Sequence, residues 1–223
     1  MRMLSYVALP IALVATVLGG SRDEPSTPPT VAKGAKLEVA YDETETTKRF
    51  FEGPSYDPES DTLYFTAFGR DGSQILKMDR SGKISVFLDK IEGINGTFLS
   101  RRGGLVGCQG EKGRVVRIPF AAGGGPGELE VLADGFEGKK FTAPNDLVED
   151  YKGGIYFTDP DFKEKKTSAV YYITPDGKVL RAVGDMQVPN GVYISKGGLN
   201  LYVSDSEAKH IRSYRINPVT GEV

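Results

Sequence analysis

From about residue 36 onward the apolar residues of this chain alternate with polar ones or fall in short runs, with Gly, Pro, Asn and Asp between them. Alternation at period two, punctuated by turn formers, predicts strands rather than helices. The runs also recur. Glu52, Asn95, Asn145 and Asn190 stand at the heads of predicted strands, separated by 43, 50 and 45 residues. Behind each head come a short strand, a turn and a second strand, read in "DTLYFTAF", "GGLVGCQG", "GGIYFTDP" and "LNLYVSDS". A third strand follows in "QILKMD", "RVVRI", "AVYYI" and "HIRSYRI". A turn such as "RSGK", "PDGK" or "NPVTGE" then leads to a fourth, "ISVFL" in the first repeat and "VLRAV" in the third.

A four-stranded repeat of this length predicts an all-β protein, a β-propeller of four-stranded blades. One such sheet cannot bury both faces alone, so neighbouring blades must stack around a central axis. The residue heading each inner strand then points toward a common channel, and four residues far apart in sequence can meet there. "KLEVAY", Lys36 to Tyr41, is predicted to be a strand that completes the last blade and leaves no sheet edge open. The chain stops at "NPVTGEV", where the fourth repeat needs its own outer strand. Two readings are compatible with this: a propeller cut short, which is the expectation, or a four-bladed ring with an irregular last blade.

The N-terminus changes the picture of where the protein works. Arg2 precedes a stretch, Met3 to Leu18, that is apolar except for Ser5, Thr16 and the helix-bending Pro10, and Gly19, Gly20 and Ser21 follow. This is the pattern of a cleaved export signal over residues 1–20, the alternative being an uncleaved anchor. Residues 21–35, with "DEPSTPPTVAKG", read as a flexible spacer, and 36–223 as the propeller domain. A periplasmic or secreted protein with no stable membrane span after cleavage is expected.

Charge and rare residues narrow the chemistry. Lys plus Arg number 28 against 30 for Asp plus Glu, and without a basic excess nucleic acid is not an expected partner. One Cys, Cys108, excludes an internal disulfide and any Cys-based metal cluster, and one His, His210, excludes a His-rich metal site. A Ser-His-Asp arrangement survives only with His210 as its base. Any metal must be held by oxygens of Asp, Glu and Asn, which suits a hard cation such as calcium or magnesium.

Four segments, "EGPSYDPESDTLYFTAF", "NGTFLSRRGGLVGCQG", "EGKKFTAPNDLVEDYKGGIYFTDP" and "VPNGVYISKGGLNLYVSDS", resemble the gluconolactonase and senescence-marker-protein (regucalcin) family in the right order and at blade spacing. The resemblance runs from about Lys36 to the last residue. It implies a six-bladed propeller of which this chain supplies about four blades, a divalent cation in the channel, and hydrolysis of sugar lactones or related esters. The cation implied is Ca2+ first, with Zn2+ or Mg2+ as alternatives. Carried over residue by residue, it implies metal ligands at Glu52 of "EGP" and Asn190 of "PNG". Asn145 of "PND" is implied beside the metal, contacting substrate or bound water and sometimes the metal itself. The family's remaining metal ligand, which also serves as its acid–base residue, is an Asp in a later "PDG" motif. Asp176 of "TPDGKV" lies in a turn between outer strands, so the catalytic Asp is expected beyond Val223 and this chain is expected to bind metal poorly and hydrolyse slowly or not at all.

Taken singly, Glu52 is a solvated residue at a strand start, and Asn145 and Asn190 are turn formers. Their shared register favours the ligand reading. Asn95 fits the repeat, but its expected role is structural; it also opens an "NGT" glycosylation sequon. Asp159 and Asp205, ending second strands, are expected to cap turns, His210 to lie on the surface and Cys108 to fill the core. The chain departs from the family at Ala67, where an Asp is common, at Gln109 and Gly110, where an acidic-His pair is common, and at Ala143, where one branch has Arg. These departures bear on the substrate more than on the metal. A non-catalytic propeller that binds a sugar or peptide at its channel is the alternative function, and the sequence leaves the oligomeric state open.

Overall fold

The computed structural model describes residues 31–32, 34–42, 49–69 and 72–223. The chain divides into two units, Met1–Asp42 and Glu43–Val223. Export segment 1–20 lies outside the described residues, as does most of spacer 21–35. The described residues of the first unit form no helix or strand, so the strand expected over 36–41 is not made. Leu37 and Val39 stay 95% and 80% exposed. Their alternation therefore gains no burial to offset the entropy of ordering the segment. Among the described residues no helix is long and apolar enough to cross a membrane.

The second unit is the predicted propeller, a row of antiparallel sheets in chain order. The first blade comprises β1 (Phe50–Asp57), β2 (Thr62–Gly69), β3 (Gly72–Met78) and β4 (Ile84–Leu88). The second comprises β5 (Ile94–Leu99), β6 (Leu105–Gln109), β7 (Arg114–Ile118) and β8 (Glu130–Ala133). A small hairpin, β9 (Gly135–Phe136) and β10 (Lys139–Lys140), leads to the third blade: β11 (Leu147–Glu149), β12 (Ile155–Asp159), β13 (Ala169–Ile173) and β14 (Val179–Val183). The fourth has three strands, β15 (Pro189–Ile194), β16 (Asn200–Asp205) and β17 (His210–Arg215).

Burial on both faces explains why successive residues of a strand serve different neighbours. Phe157 packs with Cys108 and Val115 in the seam between the second and third blades. Tyr156, one residue earlier, packs with Val192 and Leu201 between the third and fourth. Val116 joins Tyr64 and Ile75 between the first and second. Each seam is thus an apolar layer made by period-two alternation from two sheets. Cys108 is fully buried in one of these layers, and burial pushes its thiol well above the ordinary value, so it is an unreactive filler. His210 is exposed on β17, as expected.

Candidate cation site at the strand heads

Each inner strand begins irregularly, and the irregularity is what frees its head. Pairing shifts register between Glu52 and Ser55 in the first blade, Ile94 and Thr97 in the second, and Pro189 and Val192 in the fourth. Such bulges take residues out of the hydrogen-bonded ladder and re-aim their side chains. Gly53-Pro54, Asn95-Gly96 and Asn190-Gly191 lie inside them, with Glu52 at the rim of the first. In the third blade β11 starts only at Leu147, but pairing reaches back irregularly. Asn145 N–H donates to the Thr158 carbonyl and Thr158 N–H to the Asp146 carbonyl, both at 2.9 Å. Asn145 therefore occupies the corresponding place.

The residue after each head is Gly in three blades. At Gly53 and Gly96 the next blade's backbone comes too close for a side chain, whereas a Cβ on Gly191 would meet only the side chains of Ser204 and Asp146, at 3.3 and 3.9 Å. A Cβ on Gly53 would stand 2.6 Å from Asn95 O and from Thr97 N. One on Gly96 would stand 2.6 Å from Asn145 O and 2.7 Å from Asp146 Cα. Gly53 also needs its φ of +54°, a region costly for other residues. Hydrogen bonds close the same seams. Gly96 N–H donates to Asn145 O at 2.7 Å, Thr97 Oγ1 to Gly53 O at 2.5 Å and Thr158 Oγ1 to Asn190 O at 2.7 Å. The structure thus links the heads bearing Glu52, Asn95, Asn145 and Asn190 in series, blade to blade.

In the third blade the glycine position is filled by Asp146, a residue the sequence reading did not single out. Its Oδ2 accepts from Val192 N–H of the fourth blade at 3.0 Å, while its Oδ1 lies against Gly96 of the second. One carboxylate thereby joins the third blade to the fourth and abuts the second. Burial pushes Asp146 up to about 6; the N–H groups of Val192 and Leu147 offset part of that, and the charge of Glu52 adds to it. Glu52 is still accessible to water, yet partial desolvation raises its carboxyl too. Both carboxyls are raised chiefly by desolvation, and Asp146 also by the charge of Glu52, so a cation near them would favour their ionised forms.

The loops leading to the heads are fixed from behind. Asp159, at the end of β12, accepts from Thr142 N–H at 3.0 Å and Ala143 N–H at 2.6 Å, just before Asn145. Asp205, at the end of β16, accepts from Gln187 N–H at 2.7 Å and Val188 N–H at 3.2 Å, just before Asn190. Asp205 also caps its own turn as expected, accepting from Glu207 and Ala208 N–H at 3.2 and 3.0 Å, whereas the bonds of Asp159 go to the 142–143 loop; both position a head. Gln109, where the family commonly has an acidic residue, holds the second loop instead, donating from Nε2 to Glu92 O at 2.6 Å.

The two aspartates differ in the number of donors they face. Burial raises Asp159 from 3.8 to about 6, because only Thr142 and Ala143 oppose it and the Asp161 charge adds to it. At Asp205 burial pulls the same way, but N–H groups of Ala208, Gln187, Val188 and Glu207 outweigh it and hold the carboxyl below its ordinary value. The consequence of the Asp159 shift has a definite sign. A folded-state value above the unfolded one means that the native state prefers the protonated form. That stabilisation is complete below about pH 4 and is lost as pH rises through about 6, a change of about 3 kcal/mol at 1.36 kcal/mol per unit. Asp159→Asn removes the titration. Urea unfolding at pH 4 and pH 7 should show wild type losing ground to the variant by that amount, and a difference independent of pH would contradict it.

Among the described residues no group of three or more His, Cys, Asp or Glu could hold a metal. The oxygen donors at the heads are one carboxylate and several carboxamides, and two of the latter carry a specific sign. The side-chain oxygens of Asn145 and Asn95 are buried with no hydrogen-bond partner among the described residues. Buried acceptors are normally satisfied, so an unpaired carboxamide oxygen at a strand head fits a cation bound from outside the chain.

Residues 50–223 match the family model described as the SMP-30/Gluconolactonase/LRE-like region. The gluconolactonase of Zymomonas mobilis is 36% identical over 90 residues, covering 36% of this chain and 25% of that protein. The lactonase drp35 of Staphylococcus aureus is 36% identical over 69 residues, covering 30% of this chain and 21% of that protein. Among solved structures, a gluconolactonase from Xanthomonas campestris superposes with a TM-score of 0.66 at 26% identity, covering 78% of this chain and 61% of the other. The matched segments thus span a quarter or less of these two curated relatives, and about three fifths of the solved one. With its blades, its strand-head motifs and a family match over most of its length, this chain belongs to the SMP-30/Gluconolactonase/LRE-like family.

Proposed function

We propose that this protein is an exported hydrolase of sugar lactones or related esters that works with a divalent cation held by Glu52, Asn145 and Asn190. The observation that carries the reading is the buried, unpartnered Asn145 Oδ1 at a strand head linked to those bearing Glu52 and Asn190. Hard oxygen donors suit Ca2+ best, with Mg2+ and Zn2+ as the alternatives. When bound, such a cation supplies an electrophile that polarises a carbonyl and stabilises the oxyanion formed as water attacks.

The chain's own residues set the terms of that chemistry. Glu52 is the one carboxylate in the set, so the neutral carboxamides leave net positive charge at the site. Asn145 stands beside the cation position and is the residue assigned to substrate. Asp159 and Asp205 fix the loops before Asn145 and Asn190, and Asp146 locks the seams so that the heads keep their spacing. Proton transfer to and from the reacting oxygens needs an acid–base group, which the family resemblance assigns to an Asp in a motif after these four repeats. The apolar N-terminal pattern with small residues at its end supports export.

The test is lactone hydrolysis by the complete gene product, followed as acid release from an aldonolactone with and without EDTA. Activity lost to EDTA and restored by added Ca2+ is the expected result. Turnover indifferent to the chelator, or none with any of the three metals, would overturn the reading in favour of a non-catalytic binding propeller.

A further inference from the structure

Asn95 lies outside the ligand set that the family resemblance supplies, and a turn-forming role does not account for its surroundings. It occupies the same bulge position as Asn190. In the second blade Ile94 pairs with Gln109 and Thr97 with Gly107, leaving Asn95-Gly96 between them. In the fourth, Pro189 pairs with Asp205 and Val192 with Val203, leaving Asn190-Gly191. The loop before it is anchored as the loop before Asn190 is. Gln109 Nε2 donates to Glu92 O at 2.6 Å, Gly110 N–H donates to Gly93 O at 2.8 Å, and Arg114 Nε holds the Gln109 Oε1 at 2.7 Å. A turn-forming Asn turns its side-chain oxygen onto nearby backbone. Asn95 Oδ1 is instead buried and unpartnered among the described residues, the condition it shares with Asn145 Oδ1.

Neighbouring contacts place Asn95 between the other heads. Its own carbonyl lies against Gly53, next to Glu52, and its successor Gly96 donates to the Asn145 carbonyl. The glycosylation sequon that it opens is closed off in the folded chain, because Thr97 is buried and its hydroxyl donates to Gly53 O.

We propose that the Asn95 side-chain oxygen is a fourth donor to the cation held by Glu52, Asn145 and Asn190, so that the first four blades contribute one oxygen each. The inference rests on the cation reading above. It adds a neutral ligand, which enlarges coordination toward the 6–8 oxygens that calcium takes without lowering the charge available to a substrate carbonyl.

The test is calorimetric titration of the full chain with Ca2+, comparing wild type, Asn95→Leu, Asn95→Asp and Glu52→Gln, with thermal unfolding in EDTA as the check on folding. Asn95→Leu is expected to weaken binding at least about tenfold. Asn95→Asp, which keeps an oxygen in place and raises the ligand charge, is expected to bind more tightly than wild type. A purely structural Asn95 would shift unfolding in EDTA and leave affinity unchanged, and Asn95→Leu binding Ca2+ like wild type would overturn the proposal. Should the Leu variant fail to fold, Asn95→Asp decides, and an affinity equal to wild type or weaker counts against it. If wild type binds and Glu52→Gln weakens binding while Asn95→Leu does not, this inference alone falls. If wild type binds no Ca2+, the cation reading falls with it.

Discussion

Gly96→Ala is expected to destabilise the protein by about 1–3 kcal/mol or more, the usual cost of forcing an extra carbon into a packed interior, and to weaken cation binding as well. The added Cβ would meet Asn145 O, Asp146 Oδ1 and Asp146 Cα at 2.6–2.7 Å. Two of those atoms belong to backbone, and the third to a carboxylate flanked by the second and fourth blades, so no flexible side chain can swing away. The seam between the second and third blades must open, and Asn145 moves with it. Gly197→Ala is the matching control: its Cβ would meet nothing within 4 Å. Chemical unfolding of both variants should show a large loss for the first and little change for the second. Equal behaviour would mean that the strand heads tolerate movement and that their close approach does not set the site.

Much of this arrangement is legible in the chain. Period-two alternation and turn formers mark the strands, and the spacing of Glu52, Asn95, Asn145 and Asn190 marks the blades. Middle strands such as β12 bury both faces in the two adjoining seams, as Tyr156 and Phe157 show by packing on opposite sides, and so read as short apolar runs. β1 and β17 stay largely exposed and alternate. Other features are hidden for physical reasons. β8 follows the Gly-rich "AAGGGPGE", which interrupts the pattern that identifies an outer strand. "KLEVAY" shows the alternation of a strand, but a strand also needs a hydrogen-bonded neighbour and burial for its apolar face, and neither is written in the segment itself. Asp146 stands in plain sight within "PND", yet its role depends on Val192 and Gly96 of other blades, which only folding brings to it. The comparison that would have found it is internal: Gly follows the head in three repeats and Asp in one. The state of the Asn95 oxygen is hidden too, because nothing in a sequence shows whether an Asn oxygen finds a partner.

Glu52→Gln is expected to have the largest effect on cation binding, at least the 10–100-fold or so that even a supporting residue costs. The substitution keeps the shape and one oxygen of the side chain and removes the carboxylate charge from the proposed ligand set. It also takes away a partly desolvated charge, so the cation-free protein should be no less stable than wild type. Loss of affinity without loss of stability separates a ligand from a structural residue. The most direct measurement is a Ca2+ titration of wild type and Glu52→Gln side by side in chelator-treated buffer. One saturable site in wild type, weakened about a hundredfold or lost in Glu52→Gln, is the result that a cation held at the strand heads requires; equal binding by the two proteins, or none by either, would contradict it.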